Sequence, residues 1–456
     1  MTRQPLVASL LICVFILLLV NPKFALGGQS ASTPGDMLTL EQAIDLALRQ
    51  NRQVKIKELA VEKTEDQLRA ARTSRLPGFN LYMLGSQQLS PIDFRFQRGV
   101  FGTFPGIGPV PDKDTSISSP LKPTVFIIGQ ITEPLSQHYR IGLNIEQVKL
   151  GREIAREQLR SEQQSTVNEV KRTYYSILQT QSALQTAEEA TRLYRELDRV
   201  TGEYVAQQVA LKSESLDVKM RLAKSELDLL TLGDLLATQK EQLNNLLGRD
   251  IRAEFNMNAQ MEPAALEADL TAARVRALEQ RPEIKEARLK LKQAELDRRI
   301  KKAEFIPDVS LTFNYISPQN FGAIIPKTIA NVGVAFSWEI FDWGKKRREM
   351  DEKTKTIEQA KASLTASENL VLIDVNSKYR KLQQTRQQLR IAQLAQETAR
   401  ENLRVAANRY KVQVALLKDV LQTQTSLADA NQQYQQAISS FWTAKADFEK
   451  AIGEDK

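Results

Sequence analysis

The chain is poor in the residues that break helices. It has 456 residues and sixteen prolines, yet no proline lies between Pro134 and Pro263, and none lies after Pro326. Glycine is sparse there too: Gly142, Gly151, Gly202, Gly233 and Gly248 in the first span, Gly333, Gly344 and Gly453 in the second. Length alone would suggest about three ordinary domains. Two proline-free spans of nearly equal length argue instead against loops at the usual spacing and predict very long helices, used twice. A single cysteine, Cys13, and a single histidine, His138, exclude a disulfide framework and a Cys/His metal set. No nucleophile triad or phosphate-binding glycine loop is present, so no catalysis, metal or cofactor is expected. Apart from the N-terminus, no stretch approaches the ~18 consecutive apolar residues of a membrane-spanning helix.

What is there begins with an export signal over residues 1–27. Arg3 supplies a positive charge, Leu6–Val20 is an apolar run, and Ala25-Leu26-Gly27 places small residues before a cleavage point. Cys13 lies inside the apolar run, behind the bulky Ile12, so no lipidation is expected. Cleavage after Gly27 removes Arg3 and Lys23, taking the net charge from +8 to about +6.

The remainder is a tandem duplication. Ala47–Lys55 matches Ala277–Lys285 at an offset of 230, which also pairs Pro77 with Pro307. Further on, Tyr204 pairs with Tyr410, Val209-Ala210-Leu211 with Val414-Ala415-Leu416, and Gly248 with Gly453, at offsets of 205–206. The fall in offset locates an insertion in Pro91–Pro123, which holds six prolines and four glycines. Each half therefore reads helix, β-hairpin, very long helix, turn, returning helix. The first repeat spans 28–248, with a hairpin over 79–133 and a helical hairpin over 137–247. Residues 249–262 form a linker. The second repeat spans 263–456, with a hairpin over 308–341 and a helical hairpin over 343–452.

The strands alternate. Leu311, Phe313 and Tyr315 oppose Ser310, Thr312 and Asn314. Val332, Val334, Phe336, Trp338 and Ile340 oppose Asn331, Gly333, Ala335, Ser337 and Glu339. The first-half strands, near Phe79–Leu89 and Thr124–Glu133, alternate more weakly. One apolar and one small, polar face suits a sheet wet on one side. The lengths match the ~9–11 residues of a tilted transmembrane strand, and Trp338, Phe341 and Trp343 gather at one end like an interfacial girdle. A small sheet covering a soluble core is the competing reading; the export signal and the long helices favour the membrane. Four strands cannot close a barrel and lipid tolerates no open edge, so membrane placement requires several chains.

The long helices, Gln137 to about Glu203 and Trp343 to Arg409, would each reach ~100 Å. In the second, an apolar seam runs Leu372, Val375, Tyr379, Leu382, Leu389, Ala392, Ala399, Leu403, Ala406 and Tyr410, spaced for coiled-coil packing but interrupted at Arg386. Turns are placed at Tyr204–Val209 and Tyr410–Ala415 by the repeat alignment, not by propensity.

These features together resemble the TolC-like outer membrane efflux protein family. The motifs that carry the likeness are Leu76-Pro77 and Ile306-Pro307, the strand-to-helix junction Trp338–Arg347, the tip Tyr followed by Val-Ala, Asp419-Val420-Leu421, and the closing Leu247-Gly248 and Ile452-Gly453. The resemblance implies an α+β membrane protein: a homotrimer with a twelve-stranded β-barrel in the outer membrane of a Gram-negative bacterium and an α-helical tunnel through the periplasm. It implies a passive exit duct of a tripartite efflux system, with a periplasmic adaptor and an inner-membrane transporter of the RND or ABC type as partners. Type I protein secretion is the alternative within that architecture, and an exported structural coiled coil without pore activity is the alternative outside it. No nucleic acid is expected. The chain departs from the family pattern in having Gln207 and Gln413 where glycine is usual, Ala415 and Ser213 at the usual gate positions, and no C-terminal extension.

Candidate site residues follow. Asp419, repeated around a threefold axis, would form a carboxylate ring favouring cations; as a lone acid near a helix N-terminus it would merely suit the dipole. Tyr204 and Tyr410 are gate candidates by resemblance, or ordinary seam residues. Gln207, Val209, Ala210, Leu211, Gln413, Val414, Ala415 and Leu416 are candidates for adaptor contact. Lys345-Lys346-Arg347-Arg348 oppose the dipole of the helix they begin and suit either solvent or a lipid headgroup.

Overall fold

A computed structural model describes residues 37–87, 89–91, 93–118, 121–208, 211–257, 269–320, 326–411, 414 and 416–455. The export signal, part of the linker and parts of both tips lie outside these residues. In chain order the elements are α1 (Leu40–Gln50), α2 (Arg52–Thr73), β1 (Gly78–Gln87), β2 (Asp93–Phe96), β3 (Thr103–Phe104), β4 (Gly108–Pro109), β5 (Thr115–Ser118), β6 (Pro123–Pro134), α3 (His138–Ala206), α4 (Lys212–Leu246), α5 (Leu270–Gln280), α6 (Pro282–Ala303), β7 (Asp308–Gln319), β8 (Ile329–Ser337), α7 (Lys345–Lys411) and α8 (Leu417–Ala451).

The first helix of each half is two helices. Asn51 ends α1 with an extended backbone and starts α2, its side chain accepting from the amides of Gln53 and Val54. Its amide group also donates to Leu246 O at 2.8 Å, tying the break to the end of α4. In the second half Arg281 occupies the same place, with Pro282 at the first position of α6, where its missing N–H is not needed. The guanidinium of Arg281 bonds Asp374 of α7 at 2.7 Å and Glu283. Thus the breaks in both halves fall inside the repeated motif that aligns them.

The helices α3 and α7 run 69 and 67 residues, about 100 Å each. Each returning helix, α4 or α8, has only 35 residues and covers the distal half of its partner. The proximal half of α3 is covered by α2 and α6, as the bonds Arg152–Glu65 (2.9 Å) and Gln158–Glu286 (3.0 Å) record. Burial along α7 follows Val371, Val375, Leu382, Thr385, Leu389 and Ala392. The seam is therefore not broken at Arg386: Thr385, fully buried, occupies the missing step and satisfies its hydroxyl on Lys381 O, one turn back. Sequence reading overlooked it because threonine is not apolar.

Two cores result. In the first half Ala43, Ala47, Val170, Ile177, Leu243 and Leu247 pack together; in the second, Ala277, Ile284, Val375, Leu382, Ile438 and Phe441. Trp442 touches both and stacks on Tyr175, ring centroids 5.5 Å apart. Polar bonds join α3 to the end of α8: Asn168 donates to Asp447 (3.0 Å), Lys171 to Glu449 (2.6 Å), and Gln164 to Gly453 O (3.2 Å) and Asp455 (2.8 Å). The chain's last described residues are thereby held on the first repeat.

The four long strands form one antiparallel sheet, β1-β6-β7-β8, in which β6 and β7 join the two repeats. The insertion in the first hairpin folds into two small ladders, β2 with β5 and β3 with β4. β8 stops at Ser337, so the alternation read to Ile340 outruns the strand. Ser337 pairs with Asp308, the first residue of β7. The residue before Asp308, Pro307, turns its carbonyl the other way, to the Ser136 hydroxyl. Among the described residues no helix is long and apolar enough to cross a membrane.

Candidate functional site

The sheet has two chemically distinct faces. On one, register aligns Phe79, Ile131, Phe313 and Val332 across all four strands, and Glu133, Leu311 and Val334 beside them. On this face Phe79 is 74% accessible, Leu81 71%, Val332 70% and Phe336 64%, while Ile131 of the inner strand β6 is half-buried. A sheet covering a soluble core buries its apolar face; this sheet leaves it largely exposed. The opposite face carries Asn80, Gln130, Asn314 and Asn331 in one cross-strand row, and Gly78, Thr132, Thr312 and Gly333 in the next. Asn314 donates to Asn331 at 3.1 Å. Both long edges, β1 and β8, lack a further strand among the described residues.

Trp338, Ile340, Phe341 and Trp343 lie in the connection after β8 and are all exposed. Asp342 organises this connection. Its carboxylate accepts from the amides of Gly344 (3.0 Å) and Lys346 (2.8 Å), so it caps α7 and offsets the four cations of the first turn. Lys346 also pairs with Glu339 at 3.1 Å. Trp343 adopts φ +57°, an uncommon value for a bulky residue, with its ring against Phe341 at 4.8 Å. The role of Asp342 was missed from the sequence, although an acid two residues before a glycine that precedes a cationic first turn is a usable signal.

The first-half junction is built differently. The Ser136 hydroxyl donates to Pro307 O (2.7 Å) and accepts from the Val309 amide (2.8 Å), locking the start of α3 onto β7. Arg140 reaches Asp308 at 3.2 Å. His138, to which the sequence assigned no chemistry, lies 3.2 Å from Glu133.

At the tips, α3 ends at Ala206 and Gln207 and Gln208 make the turn. The left-handed residue is Gln208, φ +64°, while Gln207 keeps a right-handed backbone. Tyr204 is half exposed, and Leu211, Val414 and Leu416 are 69%, 75% and 70% accessible. Val209, Ala210, Gln413 and Ala415 lie outside the described residues, as does the side chain of Tyr410. Asp419 is exposed and accepts from the Leu416 amide at 3.2 Å, holding the start of its own helix. Within one chain its geometry is that of a capping acid. No cluster of side chains suited to a metal occurs among the described residues.

Comparison with known proteins agrees with this architecture. Residues 43–249 and 273–454 match the family model described as outer membrane efflux protein. No curated protein matches the chain significantly. Among solved structures, the fold is similar to the CmeC outer membrane channel of Campylobacter jejuni, at 17% identity, covering 94% of this chain and 90% of that one, with a TM-score of 0.73. It is also similar to the MtrE outer membrane channel of Neisseria gonorrhoeae, in its open state, at 19% identity, 91% and 89% coverage and a TM-score of 0.71. The outer membrane protein VceC of Vibrio cholerae gives 17%, 91%, 96% and 0.68. Both matched segments fall on the two halves of the duplicated fold, one long helical hairpin in each, and the chain belongs to the outer membrane efflux protein family.

Proposed function

We propose that three copies of this chain close into a twelve-stranded barrel in the outer membrane of a Gram-negative bacterium, continuous with an α-helical tunnel in the periplasm. The trimer is the passive exit duct of a tripartite efflux system. One observation carries the reading: a four-stranded sheet with an exposed apolar face and two edges unpaired among the described residues. Lipid tolerates neither an open edge nor an unsatisfied backbone. Two copies would supply eight strands, whose interior side chains fill; three supply twelve and leave a lumen. The exposed Trp338, Ile340, Phe341 and Trp343 then lie at headgroup level, with the cations of α7 beside them.

The hairpin tips are the periplasmic end. Exposed Leu211, Val414 and Leu416 offer an apolar surface to a periplasmic adaptor, which couples the duct to an inner-membrane transporter. Asp419, Tyr204 and Tyr410 are then the residues nearest a periplasmic constriction. The test is reconstitution of the full-length protein. Native mass spectrometry is expected to give a trimer, and planar bilayers stepwise conductance. A folded trimer without conductance would sink the duct and favour an exported structural coiled coil.

A further inference from the structure

We infer that the amide row makes the barrel wall a charge-neutral, hydrogen-bonding stretch of the exit path, so that solutes are not selected there by sign of charge. The inference rests on the pore reading above. Asn80, Gln130, Asn314 and Asn331 come from four strands and both repeats, and register alone brings them level. The duplication does not account for the row: at the repeat offset of 230, Asn80 corresponds to Ser310, not Asn314. Strand propensity does not account for it either, since asparagine is depleted in strands. Three asparagines and a glutamine at one level therefore mark a requirement of that face.

The face is uncharged next to the row on both sides, polar toward the junction and apolar toward the loops. Thr132 and Thr312 lie on the junction side of the row; Tyr82, Ile128, Ile316 and Ile329 lie on the loop side. Its only charged residue among the four described strands is Asp308, at the junction end, and Arg140 holds it at 3.2 Å. Glu133 belongs to the other face and lies against His138. A carboxamide both donates and accepts without a net charge. A solute leaving water can exchange hydrogen bonds with the row, while ions of either sign meet no fixed charge of the kind that rings of acidic or basic side chains provide.

The test is the reversal potential of the full-length protein in planar bilayers under a KCl gradient. The variant Asn314→Asp with Asn331→Asp keeps side-chain size and adds six carboxylates per trimer. At neutral pH its ratio of potassium to chloride permeability is expected to rise several-fold over wild type. Near pH 3, where the new carboxyls take up protons, the ratio should return to the wild-type value at that pH. Asn314→Gln with Asn331→Gln should leave the ratio unchanged at both. If the double aspartate fails to insert, Asn80→Asp, on the other repeat, carries the same test. A conducting aspartate variant with an unaltered ratio overturns the inference and leaves the pore intact. Absence of any wild-type conductance overturns the pore reading, and this inference with it.

Discussion

Gly248 and Gly453 close the two repeats, and their backbones explain why glycine stands there. Both have positive φ, +72° and +84°. A Cβ on Gly248 would lie 2.1 Å from Gln50 O, and one on Gly453 3.2 Å from the Arg281 amide and the Gln280 carbonyl carbon. Each glycine thus lets the end of a returning helix press on the break between the two short helices of its own repeat. Gly248→Ala combines left-handed strain with a collision against backbone, and is expected to cost ~3 kcal/mol. Gly453→Ala should cost about half that, since its neighbours need yield only slightly. Gly233 has nothing within 4 Å of its would-be Cβ and sits inside α4, so Gly233→Ala should stabilise by ~0.5–1 kcal/mol. Denaturant melts of the three variants in detergent give the order; equal losses for Gly248 and Gly233 would contradict it. The Leu-Gly and Ile-Gly pairs were visible in the sequence as repeat markers. Their contacts were not, because Gln50 and Gly248 are brought together only by the path of α4.

The long helices depend on one another through Asp447. This carboxyl, on α8, accepts from Lys378 of α7 at 2.9 Å and from Asn168 of α3 at 3.0 Å, with Arg172 of α3 also facing it. Burial, the largest single influence, works to raise its pKa, but the bonds from Lys378 and Asn168 outweigh it and hold the carboxyl below its ordinary value. Asp455 follows the same pattern, with burial opposed by the bonds from Arg160 and Gln164. A carboxyl depressed in the folded state adds stability above its unfolded value of about 4, and that contribution disappears as pH falls through the lower folded value. The contact of α3 with α8 should therefore weaken as pH falls below about 4. Lys378→Gln should flatten that part of the profile, measured as the thermal midpoint against pH. A variant retaining the full acid dependence would show that the contact does not report on Asp447. Proline and glycine scarcity sufficed to place these helices from sequence, since a run that long without a breaker fits no other regular element. Which residues cross between them was not legible, because Asn168 and Asp447 belong to opposite halves of the chain.

Assembly is decided by the sheet. One face carries Phe79, Phe313, Val332 and Val334 and the other the amide row, and a shift of one residue along a strand changes the face. Val334→Arg places a charge on the face proposed to meet lipid, at a cost of ~2–4 kcal/mol near the bilayer middle. Gly333→Ser, on the opposite face, should be tolerated, as the Cβ of Gly333 meets only the Thr312 hydroxyl, at 4.0 Å. Heat-modifiable mobility of outer-membrane fractions checks both: loss of the assembled species is expected for Val334→Arg alone. Equal tolerance of the two would remove the membrane from this face.

Sequence by itself determined the duplication, the two long hairpins and the alternation of the strands, because each is a local or periodic property that needs no partner. It also located the strand-to-helix junction, whose residues are contiguous. Only the tertiary structure decided the rest. Register, set by β6 of the first repeat pairing with β7 of the second, aligned four amides that no repeat relates. Packing admitted Thr385 to an apolar seam, since a helix can satisfy a buried hydroxyl on its own carbonyls. The ladder ended β8 at Ser337, opposite Asp308, the first residue of β7, short of the end of the alternation at Ile340. These are properties of pairs distant in sequence, and a pattern along one chain does not contain them.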